Sequence, residues 1–205
     1  MKHKGIVISG GQGPDSLNFD LSQYKVVAAD SGYDYAKKYN IKVDLIVGDM
    51  DSIAELKSVE ENNDIKIMKF IKDKDYSDTE LAIKYLYKYS DHIELLCGDL
   101  GRIDHLLNNL AMFEKYFKLK AWYGNCFTAL RVSKGISNLN FELNTVISLF
   151  PISNKAMVTS RGLKWELEQR LLTKKDFSLS NVVKESSLVI KVLEGEILLI
   201  VPKNL

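Results

Sequence analysis

Up to about residue 122 the chain alternates short apolar runs with stretches in which apolar side chains recur every three or four positions, the pattern of strands followed by amphipathic helices. Gly5-Ile6-Val7-Ile8-Ser9 opens the series and Lys25-Val26-Val27-Ala28-Ala29-Asp30 continues it. Residues 78–90 set Leu81, Ala82, Tyr85, Leu86 and Tyr89 on one face at helical spacing, and residues 103–117 do the same with Leu106, Leu110, Phe113 and Phe117. Both stripes are expected in the core. After Trp122-Tyr123-Gly124-Asn125 the pattern changes to short β-rich runs at 145–150, 156–160, 187–193 and 196–201, punctuated by Asn, Ser and Gly. Glu194-Gly195, between the last two, predicts a tight hairpin turn. The expected architecture is an α/β domain over 1–124, with a mostly parallel sheet flanked by helices, and a C-terminal antiparallel β-sandwich over 125–205.

Composition narrows the function classes. With 205 residues and 46% hydrophobic content the chain can bury the core of one or two domains. Lysine plus arginine (28) nearly cancels aspartate plus glutamate (27), and no basic run stands out, so nucleic acid is not expected as a partner. The longest apolar runs, such as Ile197-Leu198-Leu199-Ile200-Val201, are strand-length and far short of the roughly 18 residues of a membrane span. Met1-Lys2-His3-Lys4 leads straight into a core strand without an apolar leader, which disfavours secretion. Cys97 and Cys126 form neither a disulfide framework nor metal-site spacing, and read as small buried residues in a reducing cytoplasm.

Candidate chemistry lies where apolar strands give way to loops. Three segments stand there: Gly48-Asp49-Met50-Asp51-Ser52, Lys74-Asp75-Tyr76-Ser77-Asp78 and Gly101-Arg102-Ile103-Asp104-His105. In an open α/β sheet such strand ends share one edge and ligands bind in the crevice outside it. Carboxylates gathered there repel one another unless a cation joins them, which implies a metal and with it a phosphate. Asp49 and Asp51, two apart on an extended segment, can point to the same side while Met50 points away. Alternatively, Asp51 or Ser52 caps a helix starting near Ile53. Ser77 and Glu80 fit a capping box, with Asp78 in the first helical turn, so local structure alone accounts for them. It does not account for Asp75 together with Lys72 and Lys74. Arg102 is the only arginine in the first 130 residues and carries the forked guanidinium that clamps phosphoryl oxygens, although surface placement would also suit it. His105 reads as a hydrogen-bonding or capping residue. Gly10-Gly11-Gln12-Gly13-Pro14 is either a turn or a loop that brings backbone N–H groups to a phosphate.

In order and spacing, GDMDS, KDYSD and GRIDHLLNNL resemble three signature segments of the thiamin pyrophosphokinases, and Gly162-Leu163-Lys164-Trp165-Glu166-Leu167 followed by Ser180-Asn181 resembles their C-terminal substrate segment. The resemblance implies transfer of a diphosphoryl group from ATP to the hydroxyethyl oxygen of thiamine, giving thiamine diphosphate and AMP, in a homodimer. Carried over, Asp49, Asp51 and Asp78 look like Mg²⁺-binding and catalytic carboxylates, with Asp30 lining the same pocket. Lys74, Ser77, Arg102 and Asp104 look like groups around the nucleotide, Arg102 among the catalytic ones. Trp165 resembles the aromatic that packs on thiamine across the dimer interface, with Ser180 and Asn181 nearby. The chain departs from the family pattern at Cys97 and Leu100, which replace glycines, at Glu166, which replaces a common proline, and at Arg161, which adds positive charge. A diphosphokinase for a hydroxymethylpterin, and a thiamine or nucleotide sensor without turnover, are the competing readings. Trp165 with Ser180-Asn181 favours thiamine over the pterin.

Overall fold

The computed structural model describes residues 3–17, 20–50, 65–71, 75–99 and 102–203. The chain divides into two compact units, Met1–Asn125 and Cys126–Leu205. In the first, strands β1 (His3–Ile8), β2 (Tyr24–Ala29), β3 (Leu45–Gly48), β4 (Lys66–Lys69), β5 (Ser90–Leu96) and β6 (Leu119–Tyr123) lie in the order β6-β5-β1-β2-β3-β4 and pair in parallel throughout. The central strands are apolar at successive positions: Ile6, Val7, Ile8, Leu95 and Leu96 are all fully buried. That is what a parallel sheet covered on both faces requires. Helix α1 (Gly32–Lys38) packs on β1 and β2, and its Tyr35 and Ala36 join Ile6, Ile8, Ala28 and Leu96 in one cluster. Helix α2 (Asp78–Tyr87) packs on β1, β2, β3 and β5, and α3 (Ile103–Lys115) on β6, where Phe113 stacks on Trp122 at 6.1 Å. The chain builds outward from β1 to β4 and then returns to the opposite side of β1 with β5. The β1/β5 junction is therefore the sheet's topological switch point.

The helices bury different faces from those expected. On α2 the buried residues are Thr79, Glu80, Ala82, Ile83 and Leu86, whereas Tyr89 is 56% exposed. On α3 they are Asn109, Met112 and Phe113, and Phe117 is 61% exposed. Tyr89 and Phe117 stand past the last helical turns, where the rings pack on Tyr85 and Tyr87 respectively instead of on the sheet.

The second unit is an antiparallel sandwich. One sheet runs β12 (Ser178–Val182), β9 (Val146–Pro151), β14 (Ile197–Pro202), β7 (Phe127–Val132); the other runs β11 (Arg170–Thr173), β10 (Lys155–Arg161), β13 (Ser187–Glu194), β8 (Gly135–Asn140). Their inner faces share one core, to which Ile147, Val158, Leu172, Ile190, Ile197 and Leu199 contribute. The expected hairpin at Glu194-Gly195 is not there. β13 pairs with β10 and β8 while β14 pairs with β7 and β9, so the chain crosses from one sheet to the other at this turn. Buried positions alternate along β13, and Ile197 and Leu199 of β14 enter the same core; each strand reaches that core only from its own sheet. Gly195 makes the crossing at φ +74, with no room for a Cβ against Lys155 O at 2.2 Å.

Candidate active site

The switch-point edge gathers the charge of the first unit. Asp30 follows β2, Asp49 follows β3 and Asp78 opens α2; one carboxylate oxygen from each lies within 4.8 Å of the others. Asp30 is only 9% exposed. Gly48 permits this approach, because a Cβ on it would sit 3.1 Å from the Asp30 Cβ and 3.2 Å from Asp78 Oδ1. Non-glycine residues take left-handed backbone just past three strands of this edge, β2, β3 and β5: Asp30 (φ 47), Met50 (φ 66) and Cys97 (φ 69). Such conformations cost roughly 1–3 kcal/mol each and cluster at functional sites. Met50 also corrects the expectation of an extended Asp49-Met50-Asp51 segment: β3 ends at Gly48 and the chain turns at Met50, whose side chain is buried. Three carboxylates so close in a half-buried site form a hard oxygen donor set, the chemistry that suits Mg²⁺.

Around them lies a hollow of about 590 Å³. Its walls come from the β1 loop (Ser9, Gly10, Gly11), the start of α2, Gly98 and the first turns of α3. Ser9 Oγ and Thr79 Oγ1 hydrogen-bond at 2.9 Å, tying β1 to α2. Asn109, 2% exposed, donates from Nδ2 to Gly98 O at 3.2 Å and fixes α3 to the turn after β5. Ser77 caps α2 by accepting from the Glu80 N–H at 3.2 Å, and accepts from Asn108 Nδ2 at 3.1 Å. The expected capping box is only half formed, since the buried Glu80 carboxylate accepts instead from Lys115 Nζ (2.5 Å) and Tyr116 Oη (2.7 Å). Lys115 and Tyr116 stand at the far end of α3, where an ion pair and a tyrosine satisfy this buried carboxylate.

Arg102 lines the hollow but is 73% exposed, and its Nε and Nη2 donate to Asp104, itself 59% exposed, at 3.1 and 2.5 Å. Hydrogen bonding to the guanidinium holds the Asp104 carboxyl below its ordinary range, and the carboxylate raises Arg102. Asp104 is not part of the lining; it orients the arginine. His105 lies in the wall. Asp51 and Lys74, together with Lys72 and Leu100, lie outside the described residues. Sequence reasoning missed Ser9, Thr79, Asn108 and Asn109, and set Asp30 in the lining of the pocket and not among the metal-binding carboxylates. Asn109 had a signal: a polar residue four before Phe113, on the face of α3 that faces the sheet.

In the second unit Trp165 is 53% exposed, yet its backbone is held firmly. Asn181, 2% exposed, accepts from the Trp165 N–H at 3.2 Å and donates to Trp165 O at 2.7 Å. Its amide is thus committed to positioning Trp165. Lys164 Nζ lies 4.3 Å from the Trp165 ring centroid. Glu166 closes the preceding turn, accepting from Ser160 Oγ (2.5 Å), Gly162 N (2.7 Å) and Leu163 N (3.0 Å), which accounts for a carboxylate where the family often has proline. Ser180 is exposed at φ 53, and its N–H donates to Ser148 Oγ at 3.0 Å.

Fold and site together define a two-unit protein that collects acidic side chains at the switch point of a parallel α/β sheet, the class that handles metal-bound phosphates, followed by an antiparallel sandwich. Residues 20–122 match the thiamin pyrophosphokinase catalytic domain, and residues 135–196 match the thiamin pyrophosphokinase vitamin B1 binding domain. The chain belongs to the thiamin pyrophosphokinase family, and its activity is that of a thiamine diphosphokinase. Solved structures share its fold. A thiamin pyrophosphokinase family protein from Enterococcus faecalis superposes with a TM-score of 0.80 at 19% identity, with 100% of each chain covered. Thiamine pyrophosphokinase from Bacillus subtilis gives 0.79 at 23% identity over 100% of both chains. Thiamin pyrophosphokinase from Candida albicans gives 0.77 at 18% identity, covering 99% of this chain and 90% of that one. Comparison with curated proteins finds no match.

Proposed function

We propose that the switch-point crevice transfers the terminal diphosphoryl group of ATP to the hydroxyethyl oxygen of thiamine, releasing AMP, with Mg²⁺ held by Asp30, Asp49 and Asp78. The observation that carries this reading is the convergence of those three carboxylates within 4.8 Å. Mg²⁺ when bound neutralises triphosphate oxygens as a Lewis acid. The protein supplies position and charge. Arg102 commits Nε and Nη2 to Asp104, so its Nη1 hydrogens remain for a phosphoryl oxygen among the described residues. The backbone of Gly10 and Gly11 borders the same space. Membership of the carboxylate cluster favours metal holding over proton acceptance for Asp78, since a metal-bound carboxylate is a poor base. Asp51 and Lys74 keep, as part of the proposal, the metal and nucleotide roles that the family resemblance implies.

Thiamine binds against Trp165, whose fixed backbone and exposed ring support a stacking platform for a flat cation. The protein acts as a homodimer, with Trp165 of one protomer facing the acidic crevice of its partner, and it works in the cytoplasm. Both cysteines are free, and no helix among the described residues is long and apolar enough to cross a membrane. The test is a product assay with ATP, thiamine and Mg²⁺. AMP and thiamine diphosphate are expected in equal amounts, with turnover abolished by excess chelator. Release of ADP, or full activity in chelator, overturns the proposal.

A further inference from the structure

Hydroxyl groups in the crevice wall differ in what their hydrogens are left to do. Ser9 Oγ and Thr79 Oγ1 lie 2.9 Å apart and either can donate, so the direction of that bond is open. Ser77 is constrained. Its Oγ accepts from the Glu80 N–H at 3.2 Å and from Asn108 Nδ2 at 3.1 Å. A hydroxyl oxygen carries two lone pairs and one hydrogen. Both lone pairs are taken, and among the described residues nothing accepts the hydrogen. Cβ, the Glu80 N–H and the Asn108 amide fill three of the four tetrahedral directions at Oγ, which leaves the hydrogen only the fourth. Ser77 and Asn108 both line the crevice. The first of these bonds is the ordinary work of a helix cap. The second comes from α3, 31 positions along the chain, and capping does not require it. The neighbouring Asn109 is spent elsewhere, on Gly98 O.

We infer that Asn108 is a positioning residue for the transfer: by filling the second lone pair of Ser77 it makes that hydroxyl a fixed donor to a phosphoryl oxygen, a reading that rests on the crevice being the phosphate site proposed above. Ionised phosphoryl oxygens accept hydrogen bonds and do not donate them, so a serine serves them only through its hydrogen. Without Asn108 the Ser77 hydroxyl keeps a spare lone pair and two directions for its hydrogen. It can then accept from water, or turn its hydrogen away from the phosphate. With Asn108 in place the donor is set before the substrate arrives, and nothing need reorganise as charge shifts in the transition state. Asn108 touches no reacting atom in this role; it acts through Ser77.

The test is a double-mutant cycle on kcat/KM for ATP, with the thiamine KM and thermal melts measured alongside. Asn108→Ala should lower kcat/KM for ATP about fivefold and Ser77→Ala about twentyfold, with the thiamine KM unaltered in both. In the Ser77→Ala background Asn108→Ala should cost nothing further, because the hydroxyl it acts through is gone. In a Ser77→Thr background, which keeps a hydroxyl and a cap, the fivefold loss should return. Asn108→Asp separates direction from contact: a carboxylate only accepts, so it draws the Ser77 hydrogen to itself, and the loss should reach about fiftyfold. Equal losses from Asn108→Ala with and without the Ser77 hydroxyl overturn the inference and leave Asn108 a brace between α3 and α2. Asn108→Asp no worse than Asn108→Ala overturns it too, since the asparagine would then already accept from Ser77. A raised thiamine KM with unaltered ATP kinetics overturns it and turns Asn108 toward the other substrate. Release of ADP by the wild type is a different result: it removes the proposed reaction, whatever the cycle shows.

Discussion

Each unit of this chain holds one of its two tryptophans, and the pair shows how differently the units are built. Trp122 in β6 is 2% exposed and donates from Nε1 to Cys97 O at 2.7 Å, so its ring is used up in holding the turn beneath the crevice. Trp165 is 53% exposed while its backbone is clamped by a buried asparagine. The α/β unit spends its packing on bringing charges together that would otherwise repel. The sandwich spends its packing on presenting one ring to solvent. An interior that gathers charge should respond to a cation, and a surface that presents a ring should respond to a flat ligand.

The largest expected effect lies in the charge-gathering unit. Asp49→Asn removes one hard ligand with little change of volume, and the turnover rate should fall by about a thousandfold or more. The metal-free variant should be no less stable than wild type, since like charge has been removed from the cluster. Mg²⁺ should raise the melting temperature of wild type by binding the folded state, and should do so much less in the variant. A variant that turns over normally at low Mg²⁺ would place the metal elsewhere.

In the sandwich the corresponding change acts on affinity. Trp165→Ala should raise the thiamine KM about tenfold, from about 1.4 kcal/mol of lost stacking, and leave the ATP KM unaltered. Asn181→Ala should do the same through the backbone it holds, and should also lower stability by about 1–3 kcal/mol because the Trp165 N–H loses its buried partner. Mixing Trp165→Ala chains with Asp78→Asn chains sharpens the contrast. If the thiamine site is shared between protomers, mixed dimers regain part of the activity that neither parent has; mixed dimers that form and stay inactive place the whole site in one chain.

The same contrast explains what the sequence disclosed. In the α/β unit, strand ends are marked by the switch from apolar to acidic residues, so Asp49, Asp78 and Arg102 could be singled out from local pattern, and parallel topology then brings strand ends to one edge. Local pattern failed where geometry departs from the ideal. The left-handed turn at Met50 has no sequence signature of its own, and helix faces shifted because Glu80 and Asn109 are buried by specific partners that no periodicity reveals. In the sandwich the strands were legible but their pairing was not: Glu194-Gly195 looks the same whether the next strand returns to the same sheet or crosses to the other. Trp165, Ser180 and Asn181 were found only through family resemblance, because an exposed aromatic and a buried amide read alone as ordinary residues.

All ten tyrosines lie in the α/β unit, so the tyrosine contribution to stability at alkaline pH belongs to that unit. Burial, then the Glu94 charge, raises Tyr24 and pushes Tyr123 up to about 12. Burial likewise raises Tyr35 and Tyr116, and burial followed by the Asp99 charge raises the Cys97 thiol. Each folded pKa lies above its unfolded value, roughly 10 for tyrosine and 8.5 for cysteine, so the folded state holds these protons more tightly. Their stabilising effect is complete below about pH 8.5 and is lost as pH climbs through 10 and beyond. Denaturant unfolding of Trp165→Phe protein, followed by Trp122 fluorescence, should give constant stability from about pH 6 to 8 and a steady fall above about pH 9. Constant stability through pH 11 would mean that these hydroxyls titrate as freely when folded as when unfolded.

The smallest effect compares two left-handed residues, one in each unit. Ser180 (φ 53) is exposed and Cys97 (φ 69) is fully buried. Glycine at either position removes a backbone penalty of about 1–2 kcal/mol and adds about 0.5–1 kcal/mol of chain entropy to the unfolded state. At Ser180 nothing buried is lost, so Ser180→Gly should stabilise the protein by about 0.5–1 kcal/mol. At Cys97 the thiol packs against Gly13 and Tyr35, and deleting it forfeits about 1 kcal/mol of buried side chain together with the support of the β1 loop. Cys97→Gly should therefore be neutral or destabilising, although glycine is the residue common in the family there. Thermal melts of the two variants decide the sign, and substrate kinetics separate strain from contact. A Ser180→Gly protein that melts higher but shows a raised thiamine KM has lost a hydroxyl that touches substrate; one that melts higher with unaltered KM shows that Ser180 only turns the chain at the rim of the sandwich.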